Sequence, residues 1–421
     1  MRNVDAAGLG IGDDHPPRIM GVLNVSEESP YDPSVYDDPG EAAAYVDEEL
    51  IGEGADIVDV GLESANKDLD VLSAEQELDR LDTAVETLES TSGDAVWSIE
   101  TRYHEVADEA LSRGFDMVND ICGFADPEMP RVCREHDVAV SKMASPPDLE
   151  RPGAVEAVDD IYEALSMNGF TDKTILDPAF GGWSEAKTHD DDRETLRRLR
   201  EFRGYGRPLL VSINRKSFLK TIAGRGTEEA LPVSLAATSM AVERGAHVIR
   251  THDVAETRDA ALVGAEFARD RYRSGPASDA VAVEELDVTT VREAERHLDR
   301  IGAAEVTQGD RPVADAAVVR TYELSGLDEP AVGALRAATV GGDAGAAAFA
   351  LGDPNRAEAV AARSATDGGA GVDGDTGNTA GSDRRGLLIG TPAAIASVRD
   401  AVSGVSDALD HALDGIDRHV S

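Results

Sequence analysis

The sequence predicts an α/β chain: a (β/α)8 TIM barrel followed by a small α+β C-terminal domain with a flexible Gly/Asp-rich insert. Three observations carry this. Eight short apolar runs recur through the first two-thirds of the chain, and each carries a polar residue at or next to its C-terminal end: Ile19–Val25, Asp56–Leu62, Ala95–Glu100, Asp116–Ile121, Val138–Met143, Thr174–Pro178, Pro208–Asn214 and His247–Val254. The connections between them mostly hold stretches of helical periodicity, such as Glu41–Ile51, Ala74–Thr91 and Leu231–Arg244. Past Arg273 this alternation stops and a weaker mixed pattern begins. Strands alternating with helical stretches form βα units around a parallel sheet. Eight in succession over about 250 residues close into a barrel.

Taken in order, residues 1–17 read as a polar lead-in, acidic and without the apolar centre of a targeting peptide. Residues 18–273 carry the barrel. Ser274–Ala280 (SGPASDA) is small and polar and reads as a linker. Residues 281–421 form an accessory unit to which the sequence assigns no role. In it, Val288–Ile301 predicts an amphipathic helix, Ala317–Leu324 a strand, and Glu329–Ala350 a partly helical stretch. Ala365–Asp383 is built from small and polar residues and is expected to be poorly ordered. Gly386–Gly390 resumes a strand pattern and Pro392–Ile416 a helical one.

The 421 residues carry a formal net charge of −42, with 82 acidic against 40 basic side chains. That balance lacks the basic footprint of a nucleic-acid binder. It predicts a salt-adapted surface, whose self-repulsion is screened at high ionic strength. The two cysteines, Cys122 and Cys133, lack metal-ligand spacing and read as small apolar filler. No run approaches the roughly 18 apolar residues of a membrane span. The expectation is a cytoplasmic protein that binds neither nucleic acid nor membrane.

A barrel places the residues just past its strands around one mouth. Asn24, Glu63, Glu100, Asn119, Asp177, Lys216, Arg250 and His252 are therefore expected to converge. Taken singly, each has a bland reading. Asn24 can ligate a hard cation or merely stabilise a turn. Asp59, Glu63 and Glu100 can position a polar heterocycle or a hydrated metal, or serve as structural hydrogen-bond partners. Asn119 and Asp177 suit a ligand presenting neighbouring N–H donors, although Asp-Pro is also an ordinary turn pair. Lys216, Arg250 and His252 sit where barrels often hold phosphate, or they form salt bridges to Asp59 and Glu100.

Six motifs in order narrow these alternatives: IMGVLNV, GADIVDVGLES, VNDI, LDPAFG, NRKSF and VIRTHDV. Together they resemble the dihydropteroate synthases of the pterin-binding barrel family, from Arg18 to about Phe267. The resemblance implies transfer of a 7,8-dihydropterin-6-ylmethyl group from its diphosphate to p-aminobenzoate or a related arylamine, with pyrophosphate released, in folate biosynthesis. It implies Lys216, Asp32, Arg250 and His252 as catalytic residues. It implies Asn24, Glu100, Asn119, Asp177, Lys216, Ser217, Arg250 and His252 as substrate-binding residues, with Mg2+ at Asn24 and a possible homodimer.

Departures from the family pattern gather on the acceptor side. The loop usually reading GGESTRPG is GLESANKD, so Asn66 replaces its arginine, with Lys67 adjacent. Pro30 stands where an aromatic is expected, Glu100 replaces Asp, and Asn214 replaces a serine. Ser141–Ala144 (SKMA) lacks the usual histidine, and AFGGWS follows Asp177. A pterin-dependent methyltransferase of the same superfamily and a non-catalytic pterin-binding protein are the alternative readings. The first has no diphosphate to neutralise, which the cations at Lys216, Arg250 and His252 together weigh against.

Overall fold

The computed structural model describes residues 3–26, 32–64, 69–182, 184–272, 283–303, 307–308, 311–341, 347–352 and 384–420. The chain divides into two units, Met1–Asp287 and Val288–Ser421. The expected linker 274–280 and the low-complexity stretch 365–383 lie outside the described residues.

The first unit opens with an antiparallel hairpin, β1 (Val4–Ala6) and β2 (Leu9–Ile11). Its two-residue turn places Ala7 and Gly8 at φ 49° and 92°. Positive φ at both positions gives the turn a twist that matches the strands. Eight parallel strands follow: β3 (Arg18–Asn24), β4 (Ile57–Gly61), β5 (Val96–Thr101), β6 (Met117–Asp120), β7 (Ala139–Met143), β8 (Thr174–Asp177), β9 (Leu210–Val211) and β10 (Val248–Thr251). They are ordered β8-β7-β6-β5-β4-β3-β10-β9. The ends meet where Leu176 bridges Leu209 and its N–H donates to Pro208 O at 2.9 Å. All eight expected strands are therefore present in a barrel that closes at a single bridge.

The barrel interior changes character along its axis. Met20, Ile57, Val96, Met117, Ala139, Ile175, Leu210 and Val248, one from each strand, form a buried apolar ring with Val4, Ala6 and Ile11 of the hairpin. Side chains alternate faces along a strand. The residues two positions further on share the inner face: Val22, Asp59, Ser98, Asn119, Ser141, Asp177, Ser212 and Arg250. Seven of these eight are polar, so one step along the strands separates a hydrophobic floor from a polar cup. The residues expected as a polar lead-in thus supply the plug beneath that floor. Their period-two pattern spans only three residues per strand, too short for periodicity to register.

Nine helices occupy the connections among the described residues: α1 (Pro39–Tyr45), α2 (Ala74–Ser90), α3 (His104–Ser112), α4 (Met129–Glu135), α5 (Val158–Ser166), α6 (His189–Arg197), α7 (Ser217–Ala223), α8 (Leu231–Glu243) and α9 (Val254–Glu266). Their starts follow the capping rules. Asp38 accepts from the Gly40 and Glu41 N–H groups at 2.9 Å ahead of α1. Ser73 and Gln76 form a reciprocal capping box at α2.

The second unit has a short strand pair, β11 (Thr307–Gln308) and β12 (Arg311–Pro312), and a three-stranded antiparallel sheet. That sheet orders β13 (Arg320–Leu327), β15 (Arg384–Gly390) and β14 (Ala348–Leu351), with β15 central. Helices α10 (Val291–Arg300), α11 (Glu329–Gly341), α12 (Pro392–Val402) and α13 (Asp407–Val420) complete it. Leu324, Leu335, Leu388, Val398, Val402 and Leu413 form its core. The run expected as one helix over Pro392–Ile416 is two. The break falls at Ser403–Ser406, where Gly404 takes φ 79°, a conformation that ends helices.

Candidate active site

The polar cup opens into a cavity of about 200 Å3. Six of the eight residues expected to converge line it: Glu63, Glu100, Asn119, Asp177, Lys216 and Arg250. Ile121, Met143, Ala179 and Phe180 add an apolar wall.

Arg250 projects from β10 across the barrel. Its Nε donates to Asp59 Oδ2 at 2.7 Å and its Nη2 to Glu100 Oε2 at 2.7 Å. Asn119 Nδ2 donates to Asp59 Oδ2 at 3.0 Å, and Ser98 Oγ to Asp59 Oδ1 at 2.7 Å. Burial opposes the guanidinium charge, but Glu100 and Asp59 outweigh it and raise the pKa further. The salt-bridge reading of Arg250 is thus realised, and its Nη1 has no hydrogen bond among the described residues.

Lys216 is the neighbouring cation. Arg215, at φ 51°, is held by a two-point pair with Asp253 at 2.7 and 2.8 Å, and its N–H donates to Ser234 Oγ at 2.8 Å. Asn214 Nδ2 donates to the same Asp253 at 2.8 Å. With Arg215 spent on structure, Lys216 reaches the cavity, where it has no hydrogen bond or salt bridge among the described residues. Burial pulls its pKa down, and Asp177 opposes that shift. The Asp177 carboxyl is pushed up to about 6 by burial, against the Ala179 N–H at 2.8 Å and Lys216.

Asn24 and His252 do not line the cavity; they sit together beside it. Asn24 Nδ2 donates to Ser34 Oγ at 3.0 Å, and Ser34 Oγ lies 3.1 Å from His252 Nδ1. Burial, and Arg250 after it, lower the His252 pKa to about 3. His252 is therefore a neutral hydrogen-bonding group, and the expected trio of cations reduces to Lys216 and Arg250. Gly61 joins the two groups, since a Cβ there would meet Asn24 Oδ1 at 3.0 Å and Glu100 Oε1 at 3.8 Å. Ser217 is exposed as the first residue of α7 and does not line the cavity. Asp32 begins a short helical turn, but its side chain lies outside the described residues, as do Pro30, Asn66 and Lys67.

Asn24 is the residue at which Mg2+ is expected. Asn24 uses its amide N–H on Ser34 and turns Oδ1 towards Gly61 at the mouth. A single hard oxygen suits Mg2+, which keeps several waters and binds through one or two protein oxygens and substrate phosphates. Asn24 Oδ1 is one oxygen of that kind.

Arg102 lines the cavity without having been anticipated. Its side chain is fully buried and paired with Glu63, and its Nη1 donates to Leu149 O at 2.7 Å. The signal was present: residues 96, 98, 100 and 102 share one face by the strand period, and the expectation stopped at Glu100.

Residues 20–252 match the family described as pterin binding enzyme. The chain is 31% identical over 242 residues to dihydropteroate synthase of Bacillus subtilis, covering 56% of this chain and 83% of that one. It is 33% identical over 250 residues to a probable bifunctional folylpolyglutamate synthase/dihydropteroate synthase of Halobacterium salinarum, covering 56% of this chain and 30% of that one. A structure of a Coxiella burnetii dihydropteroate synthase in complex with pteroic acid superposes with a TM-score of 0.54 at 28% identity, covering 63% of this chain and 98% of that one.

Proposed function

This chain belongs to the pterin-binding enzyme family, among the dihydropteroate synthases, and from that premise we propose how its cavity acts. The enzyme joins 7,8-dihydropterin-6-ylmethyl diphosphate to p-aminobenzoate or a related arylamine. The bond between the pterin methylene and the diphosphate oxygen breaks, a carbon–nitrogen bond forms, the amine loses one proton, and pyrophosphate leaves. Convergence of Glu100, Asn119, Asp177, Lys216 and Arg250 on one cavity with an apolar wall supports this reading best.

Each residue has a part that its position allows. The Asp177 carboxylate accepts neighbouring N–H groups of the pterin edge, beside Asn119 and Glu100. Lys216 lies against the ring with its charge available. Arg250 Nη1, the neutral imidazole of His252 and Asn24 meet the diphosphate. Mg2+, held at Asn24 Oδ1, would supply charge neutralisation to that group. Fixed positive charge on the departing diphosphate lowers the barrier without a protein nucleophile.

The test is turnover by the full chain in molar KCl with Mg2+. Pyrophosphate release that requires both substrates and yields dihydropteroate is expected; absence of product overturns the reading. A homodimer, a cytoplasmic location, Mg2+ dependence and adaptation to high salt complete the proposal. Among the described residues, no helix is long and apolar enough to cross a membrane. Sedimentation in high salt reads the oligomer, and chelation with readdition of Mg2+ reads the metal.

A further inference from the structure

We propose that Arg102 is a positioning residue for the acceptor: it sets the width of the cavity by tying the loop after β4 to the loop after β7. The stem of Arg102 leaves the end of β5, between those loops. One end of its guanidinium pairs with Glu63, on the loop after β4, and Nη1 donates to Leu149 O on the loop after β7 at 2.7 Å. Both loops supply cavity wall, Glu63 and Ser64 from one and Pro152 from the other.

The tie extends in both directions. Glu63 Oε1 accepts from the Leu72 N–H at 2.8 Å, just ahead of α2. Beyond Leu149, the Gly153 N–H donates to Ser145 Oγ at 2.9 Å, and Ser145 Oγ donates to Ile121 O at 2.7 Å. Gly153 then presses on Gly182 of the loop after β8, where an added Cβ would fall 2.1 Å from Gly153 O. Ser184 donates to Glu156 alongside. The wall from Glu63 to Gly182 is thus a linked belt, with Arg102 as the ionic clasp between the loop after β4 and the loop after β7. The cup groups Asn119, Asp177 and Arg250 stand on β6, β8 and β10, below those loops.

This division makes the two substrates respond differently. Loosening the belt widens the rim through which an incoming amine approaches, above the pterin-facing Asn119 and Asp177 of the cup. A planar fork is suited to hold a carboxylate and a carbonyl together, and a lysine ammonium is a point charge that meets one of them well. The identity of the substrates rests on the transferase reading; the tie itself does not.

The experiment compares the full chain with Arg102→Met, Arg102→Lys and Glu63→Gln in molar KCl. Hydrogen exchange is expected to quicken at the Leu72 amide and across Ser145–Gly153 in Arg102→Met. The KM for the arylamine should rise about tenfold or more, with kcat and the KM for pterin diphosphate within about threefold, because misplacement of a reacting partner acts on its own binding step. Arg102→Lys should recover part of the loss. Unchanged exchange in both segments, or equal rises in both KM values, would overturn the proposal. Should Arg102→Met fail to fold, Glu63→Gln keeps the shape of the partner and removes its charge. It is expected to raise the arylamine KM selectively, and an unchanged value counts against the clasp. A wild-type chain that makes no product defeats the transferase reading alone, since the exchange comparison still judges Arg102.

Discussion

Arg250 Nη2 donates to Glu100 Oε2 at 2.7 Å, although β10 and β5 are separated in the sheet by β3 and β4. The contact crosses the barrel interior and, with Asp59, fixes the cup as one charged unit. Removing one member of a buried ionic group leaves the others uncompensated and costs about 3–5 kcal/mol. Arg250→Ala is therefore expected to lose both turnover and a comparable amount of unfolding free energy, read by urea titration in molar KCl. Native-like stability in that variant would contradict the arrangement.

Lys216→Ala should behave differently. Lys216 has no salt bridge among the described residues, so its removal is expected to leave the melting temperature unchanged or slightly higher. Turnover should still fall about 100-fold or more, the scale of losing one preorganised charge or donor. A large loss of stability with little loss of turnover would move Lys216 from chemistry to scaffold.

Asp177 predicts a pH dependence. Its pKa is raised to about 6, so the carboxylate proposed to accept the pterin edge is present above that pH and lost below it. Pterin binding should weaken roughly tenfold per unit below about pH 6, the slope of one proton. Asp177→Asn should bind more weakly and abolish the slope. A flat profile between pH 5 and about 7 in the wild-type chain would refute the assignment.

Glu77 on α2 is buried beneath the mouth and accepts from Thr101 Oγ1 at 2.5 Å. Burial pushes its pKa from 4.5 to about 8. The folded chain keeps a proton that the unfolded chain releases within this window, so stability is fullest below the lower value and falls as pH rises through the upper one. Glu77→Gln mimics the neutral acid and should stabilise the fold above pH 8 by on the order of 3 kcal/mol. Calorimetry at pH 6 and about 9 reads the difference, and equal effects at both would exclude it.

The plug and the surface charge give two measurements of the scaffold. Ile11→Ala removes part of the barrel floor and should cost about 2–5 kcal/mol, with turnover per folded molecule near wild type. The net charge of −42 predicts a melting temperature that falls as KCl is withdrawn, through unscreened repulsion. A constant melting temperature would show that salt is not part of the design.

Much of this molecule was legible in its residues. Runs such as Ile19–Val25 and His247–Val254 are apolar because both faces of a parallel barrel strand are covered, and that composition survives in any order of reading. The polar residue closing each run then marks the mouth, which is why Glu100, Asn119, Asp177 and Lys216 could be grouped beforehand. The hairpin was illegible for the opposite reason: three residues per strand leave no period to detect. Arg102 escaped notice because its meaning depends on Glu63 and Leu149, neither of them near it in sequence.

The eight barrel strands, the helical stretches between them and six of the groups at the mouth followed from the chain alone, because periodicity and strand-end position are local properties. Which cations stay open to a ligand was decided only in three dimensions. Arg215 is spent on Asp253, Arg250 is shared between Asp59 and Glu100, His252 is stripped of its charge by burial, and Lys216 is left facing the cavity. Charge pairing and desolvation depend on distances across the barrel, and no stretch of sequence contains those distances.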